Sequence, residues 1–240
     1  MVRHRFLYVW CLMINPFKQL NKIDWIIYII SLTLVVSSNF FARQINVLNL
    51  ICTTLGVTSL IFIAKGKVFG QVLMVVFGSL YSIVAIEQRY YSEIITYLGM
   101  TVPISILSIV TWVKNPYGKE DKVVKIRRLT LRELLFSLFF TACVTMVFYF
   151  VLREFKTANL LVSTISISTS FFSSYLMMRR ISIYAIGFTL NDIVLMILWS
   201  FASVKDLSYL SMVACFSAFL INDLYGFVKW TKREKEQEKV

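Results

Sequence analysis

The sequence has one histidine, His4, close to its N-terminus. A zinc site built on imidazoles, a catalytic triad or a histidine proton relay therefore has nothing to use. Its four cysteines, Cys11, Cys52, Cys143 and Cys215, show no C-x-x-C spacing. The last three fall inside apolar runs, where they read as small hydrophobes between packed helices. No G-x-x-x-x-G-K-[ST] occurs, so the chain shows no ATP-driven motor. Charge is scarce as well. Charged residues make up 16% of the chain and hydrophobic ones 58%, with a mean hydropathy of +0.72, whereas an ordinary soluble domain is roughly a quarter charged. These shortages exclude a soluble enzyme, a nucleic-acid-binding domain and a disordered tail. The net charge of +12 does not restore nucleic acid as a partner, because the positive residues lie beside apolar runs.

What is abundant is uninterrupted apolar sequence. The runs are about 17–20 residues long, the length that crosses a ~30 Å hydrocarbon core at ~1.5 Å per residue. Eight spans are predicted: Trp25–Phe41, Ile45–Ala64, Val68–Ile86, Glu93–Val113, Leu134–Leu152, Leu160–Met178, Ile181–Phe201 and Leu207–Lys229. Barrel strands would alternate polar and apolar residues, and these runs do not. A helix satisfies its own backbone in lipid, so an all-α polytopic membrane protein is expected. The first fourteen residues resemble a signal peptide, but they lack a small-residue cleavage site and end at Asn15-Pro16. They read as an interfacial segment with Trp10 and Phe17 at headgroup level.

Lys and Arg set the sidedness. With eight crossings, twenty of the 25 fall on the side that holds both termini, and five fall on the other. Positive charge in short loops marks the cytoplasm, so both termini are expected inside the cell membrane. The longest polar connector, residues 114–132, reads as a solvated cytoplasmic loop held near anionic headgroups.

An internal repeat is also legible. Sliding the chain until Trp112 lies on Trp230 also lays Lys114 on Lys232, Tyr91 on Tyr209 and Tyr81 on Trp199. Spans two to four then match spans six to eight, with the fifth restoring direction. The result is a 1+3+1+3 order of two parallel three-helix repeats, an arrangement that carriers use around a central site. The predicted units are 1–44 (interfacial segment and extra helix), 45–113 (first repeat), 114–133 (basic loop), 134–158 (connector helix), 159–230 (second repeat) and 231–240 (charged tail).

Polar residues deep in a span are expensive and mark candidate sites. Tyr184, Gly187 and Asn191 share one face of the seventh span at i, i+3 and i+7. The Asn191 amide offers two donors and two lone pairs, which suits a ribose or a carboxamide, or else a packing bond between helices. Asp192 follows it, where it attracts a cation, takes a proton or pairs with a neighbouring helix. Asn222 and Asp223 recur in the eighth span, and there Asp223 reads as pairing or packing near the interface. Polar stripes run along the fourth span (Tyr97, Thr101, Ser105, Ser108, Trp112), the sixth (Ser163, Ser166, Ser170, Ser173) and the third (Gln71, Gly78, Ser82). Together with Asn191 they point to a wet centre, with Tyr184 and Tyr81 able to stack on a flat ring or hold a cation.

Over about residues 45–230 the chain resembles the PnuC-type vitamin transporters. The resemblance rests on the three-one-three order, on F-G-Q at Phe69–Gln71 and on Y-Y-S-E at Tyr90–Glu93. It also rests on W-x-K-N at Trp112–Asn115 and G-x-x-x-W at Gly226–Trp230. It implies a SWEET-like fold, often a homotrimer, acting as an ATP-independent facilitator for nicotinamide riboside, with a cytosolic kinase trapping the product. The family's W-x-x-W-x-x-x-N pattern reads here Tyr184, Gly187 and Asn191. The resemblance therefore implies a site widened at Gly187, and a substrate that could be another vitamin or nucleoside such as thiamine, riboflavin or a deoxynucleoside. The expected function is facilitative uptake of a nucleoside-like vitamin, nicotinamide riboside first. Asn191 would bond the ligand, Tyr184 would stack on it, and Gln71 would be a second polar contact. Asp192, if it faces the pore, would favour a cationic ring. No cofactor is expected. An enzyme is not expected either, because Asp192 and Asp223 are placed on different spans at different depths. A membrane ligand sensor without flux is the remaining rival.

Overall fold

The computed structural model describes residues 16–40, 47–87, 91–117, 123–157, 159–205 and 210–239. The predicted interfacial segment before Pro16 lies outside them. A 3₁₀ turn at Pro16–Gln19 leads into α1 (Lys22–Phe40), followed by α2 (Val47–Ala64) and α3 (Val68–Glu87). The fourth rod has three parts: α4 (Tyr91–Thr96), a π-turn (Tyr97–Thr101) and α5 (Val102–Lys114). Then come α6 (Leu131–Glu154), α7 (Leu160–Met178), α8 (Tyr184–Lys205) and α9 (Leu210–Glu238).

Among the described residues these make eight helical rods, one for each predicted span, and α7 has the predicted bounds. Six are long and apolar enough to cross a bilayer, and α2 and α3 carry shorter apolar stretches, Leu50–Ala64 and Val68–Ile83. α9 continues past Lys229 because the following segment, rich in Lys, Glu and Gln, favours helix.

The π-turn has a local cause. Pro103 cannot donate a backbone bond, and its ring crowds the preceding turn. Val102 N instead donates to Tyr97 O, one residue further back than in an α-helix. This widened turn sets Tyr97, Thr101 and Ser105 on one inward stripe.

α2 and α7 end alike. After α2, Gly66 takes φ +66° and its N–H donates to Ile63 O at 2.8 Å. After α7, Arg180 takes φ +66° and donates to Met177 O at 3.0 Å. Both are left-handed caps that close the last turn.

The connector 114–132 differs from the expected solvated loop. Pro116–Tyr117 pairs antiparallel with Val123–Val124, and Val123, Val124 and Ile126 are buried. Val124 N donates to Gly66 O and Arg127 N to Arg180 O, both at 2.9 Å, so the strap crosses the ends of α2 and α7. Ile126 N also donates to Gln237 Oε1 of α9 at 2.9 Å. Val123, Val124 and Ile126 pack inward, while Lys125 is exposed and Arg127 turns to Glu133. Glu133, in the first turn of α6, accepts from Arg179 Nη2 at 2.6 Å and pairs with Arg127 at 3.1 Å.

These bonds gather the basic connectors at one end of the bundle. There Asp24 of α1 is fully buried and accepts from Lys65 Nζ at 2.5 Å and from Tyr225 Oη. The start of α1 and the last turns of α9 therefore share that end. α6 stands outermost, packed mainly on α7, where Thr145 and Ser168 are hydrogen-bonded at 2.8 Å. Its other faces expose Leu135, Phe139, Val147 and Phe150, as a lipid-facing helix would.

Candidate functional site

The rods enclose a central cavity of about 60 Å³ lined from α2, α3, the π-turn rod, α7, α8 and α9. A water needs roughly 10–15 Å³ on the same measure, so the space holds a few waters as it stands. The stripes predicted on the fourth and sixth spans reach it through Tyr97, Thr101 and Ser105, and through Ser166 and Ser170. The stripe on the third span does not. A Cβ at Gly78 would lie 2.9 Å from Val102 Cγ2, and Ser82 Oγ donates to Gly78 O, so that stripe packs α3 against α5. Phe77, Phe188, Phe216 and Phe219 supply apolar walls.

Asn191 is 6% exposed and lines the cavity. Ser166 Oγ donates to its Oδ1 at 3.2 Å, and Thr169 Oγ1 does so at 2.9 Å. Its carbonyl is thereby committed to α7. Its Nδ2 has no hydrogen bond to a described residue, leaving a pair of N–H donors for an acceptor on a ligand.

Tyr184 also lines the cavity, buried at its basic end. Its ring meets Trp230 edge-on at 4.8 Å between centroids and Phe188 at 6.1 Å.

Gly187 is on the helix contact, not the cavity wall. A Cβ there would overlap Ser173 Oγ of α7 and lie 3.2 Å from Ser173 Cβ and 3.4 Å from Phe172. The expectation of a site widened at Gly187 is corrected accordingly: α7 occupies the space that a side chain would have taken.

Gln71 is fully buried behind Met177, to whose Sδ its Nε2 donates at 3.2 Å. Met177, not Gln71, reaches the cavity.

Asp192 lines the cavity beside Asn191, 3% exposed. Its carboxyl group lies next to that of Asp223 of α9, which lines the cavity as well. The placement of these acids at different depths is thus corrected, because α8 and α9 cross where the two residues meet. Asp223 was available as a candidate from periodicity. Asp223, Gly226 and Trp230 repeat the i, i+3, i+7 spacing of Tyr184, Gly187 and Asn191.

Below the cavity, toward the basic end, Trp112 and Trp230 pack with ring centroids 5.4 Å apart, both fully buried. Trp112 Nε1 donates to Met177 O at 3.2 Å, and Trp230 Nε1 donates to Ile63 O at 3.0 Å. The last helix of each predicted repeat thus bonds the end of the other repeat's first helix. This pair and its bonds close the cavity on that side.

A bundle of membrane-length helices around a small polar cavity, shut at one end by a bonded aromatic pair, has the build of a membrane carrier. The comparisons agree. Residues 46–232 match the model of the nicotinamide mononucleotide transporter family, and the chain belongs to that family. It is 25% identical over 184 residues to a nicotinamide riboside transporter PnuC of Neisseria mucosa, covering 75% of this chain and 70% of that protein. Its fold matches the crystal structure of the vitamin B3 transporter PnuC with a TM-score of 0.79 at 22% identity, covering 90% of this chain and 94% of that one.

Proposed function

We propose that this protein is an ATP-independent carrier that takes up a nucleoside-like vitamin, nicotinamide riboside first, through the central cavity. The observation that carries the reading is the Asn191 amide, held by Ser166 and Thr169 with its N–H groups free, at a cavity with aromatic walls. Such a donor suits a carboxamide or ribose oxygen, and the aromatic walls suit a flat ring. Membership of a transporter family supports flux over sensing or catalysis.

In this reading Asn191 bonds the ligand and Tyr184 packs against it. Gln71 becomes a second polar contact only when Met177 turns aside. Gly187 contributes by letting α7 carry its hydroxyls up to Asn191. The reciprocal tryptophan bonds and the matching caps at Gly66 and Arg180 support the 1+3+1+3 arrangement. Two like-oriented three-helix units then rock about the cavity, and the closed Trp112–Trp230 end is one state of that cycle. The basic end faces the cytosol by the positive-inside rule, with both termini inside. There a kinase traps the product. A homotrimer is the assembly this reading carries forward.

The test is thermal stabilisation of the purified protein by nicotinamide riboside, thiamine, riboflavin and a deoxynucleoside. A ligand at about 100 times its Kd adds roughly 2.7 kcal/mol of stability. Nicotinamide riboside should stabilise most. Stabilisation by riboflavin or the deoxynucleoside alone would overturn the substrate assignment.

A further inference from the structure

The meeting of Asp192 and Asp223 on the cavity wall is not needed for hydrogen bonding to a ribose or a carboxamide. A contact between two carboxyl groups requires a proton between them, since two carboxylates have only acceptors to offer. One oxygen of Asp192, Oδ2, is buried and accepts no hydrogen bond from a described residue. No Lys, Arg or His is among the described residues that line the cavity.

The ionisable groups around the pair do not supply a cation. Cys215 of α9, Cys52 of α2, Tyr184 of α8 and Tyr97 of the π-turn are thiols and phenols. Asp24 of α1 and Lys65 are taken up with each other, and Arg179 of α7 is held by Glu133. Arg233 of α9 turns to Lys65 O at 2.9 Å. A buried carboxylate without a counter-charge is costly, so the site must hold either a proton or a cation that enters with the ligand. The Phe188, Phe216 and Phe219 rings on the same walls can take the faces of a flat cation.

We infer that Asp192 and Asp223 form a cation-recognition site that selects substrates with a fixed positive charge on a flat ring and gives up one proton when such a ring binds. The inference rests on the carrier reading above and adds what sets its specificity. The exchange balances. The empty pair carries one negative charge with its proton, and the occupied pair carries two negative charges against the cation's one positive charge. The displaced proton goes to solvent.

The experiment is calorimetry on the purified full-length protein from about pH 5 to about pH 8, in two buffers of different ionisation heat. Nicotinamide riboside is compared with its neutral 1,4-dihydro form, which keeps the shape and loses the ring charge. The cation should release up to one proton and tighten by up to about tenfold per pH unit. The dihydro form should release none and bind at least about tenfold more weakly at the alkaline end. In Asp223→Asn, proton release and the preference for the cation should both vanish. Equal, pH-independent binding of the two forms to the unaltered protein with no proton released would overturn the inference and leave the substrate reading standing. Binding of thiamine with proton release, where nicotinamide riboside does not bind, would uphold the acid pair and sink that substrate reading.

Discussion

Asn191 illustrates how a single amide is aimed in a membrane interior. Its oxygen takes hydroxyls from Ser166 and Thr169, so its N–H groups are left over at a residue that lines the cavity. Thr169→Val keeps the shape and removes one of those donors. It should weaken ligand binding severalfold, in line with roughly 1 kcal/mol for one hydrogen bond, and move the melting temperature little. Asn191→Leu should cost about tenfold or more in affinity in the same titration. Affinity unchanged in both variants would take Asn191 out of the site.

The sequence marked Asn191 and Asp192 because a polar group in a span needs a partner. It could not say which partner, because spacing along a helix does not tell which other helix crosses at that height. Spacing alone therefore puts Asp223 near the interface and Gln71 at the cavity, whereas Asp223 lines the cavity and Met177 stands between the cavity and Gln71.

The helices were legible almost to their ends, since continuous apolar runs admit little else in lipid. What escaped was local. The π-turn follows from Pro103 and from the packing of Tyr97, and the packed strap at Val123–Ile126 was hidden by the basic residues around it.

Close approach of helices depends on glycine at a few points. A Cβ at Gly70 of α3 would fall 2.6 Å from Ile63 N and 2.7 Å from Ser59 O, both backbone atoms of α2 that cannot turn aside. Gly70→Ala should destabilise the protein by about 1–3 kcal/mol, read as a lower melting temperature. Gly187→Trp, which would restore the ring of the family pattern, should push α7 away rather than narrow the cavity. Its expected signature is a loss of thermal stability larger than that of Gly187→Ala. Tighter ligand binding at full stability would contradict the helix contact described for Gly187.

At the scale of the molecule, the two tryptophan bonds tie α5 to the end of α7 and α9 to the end of α2. Trp230→Phe keeps the ring packing and removes the donation to Ile63 O. A loss of about 1 kcal/mol shifts an opening equilibrium about fivefold. A reporter thiol introduced by Ser174→Cys, in a chain freed of its own cysteines, should then be labelled from the basic side about fivefold faster. Trp112→Phe should act alike through Met177 O. An effect from one tryptophan only would argue against equivalent halves. The basic connectors gather at one end because charges excluded from lipid must collect outside it.

The measurement that reaches the central claim most directly is uptake of labelled nicotinamide riboside into liposomes that contain only this protein. Saturable equilibration without ATP, abolished by Asn191→Leu, is the predicted result. Liposomes that bind the ligand yet fill no faster than protein-free ones would contradict the account and leave a receptor in place of a carrier.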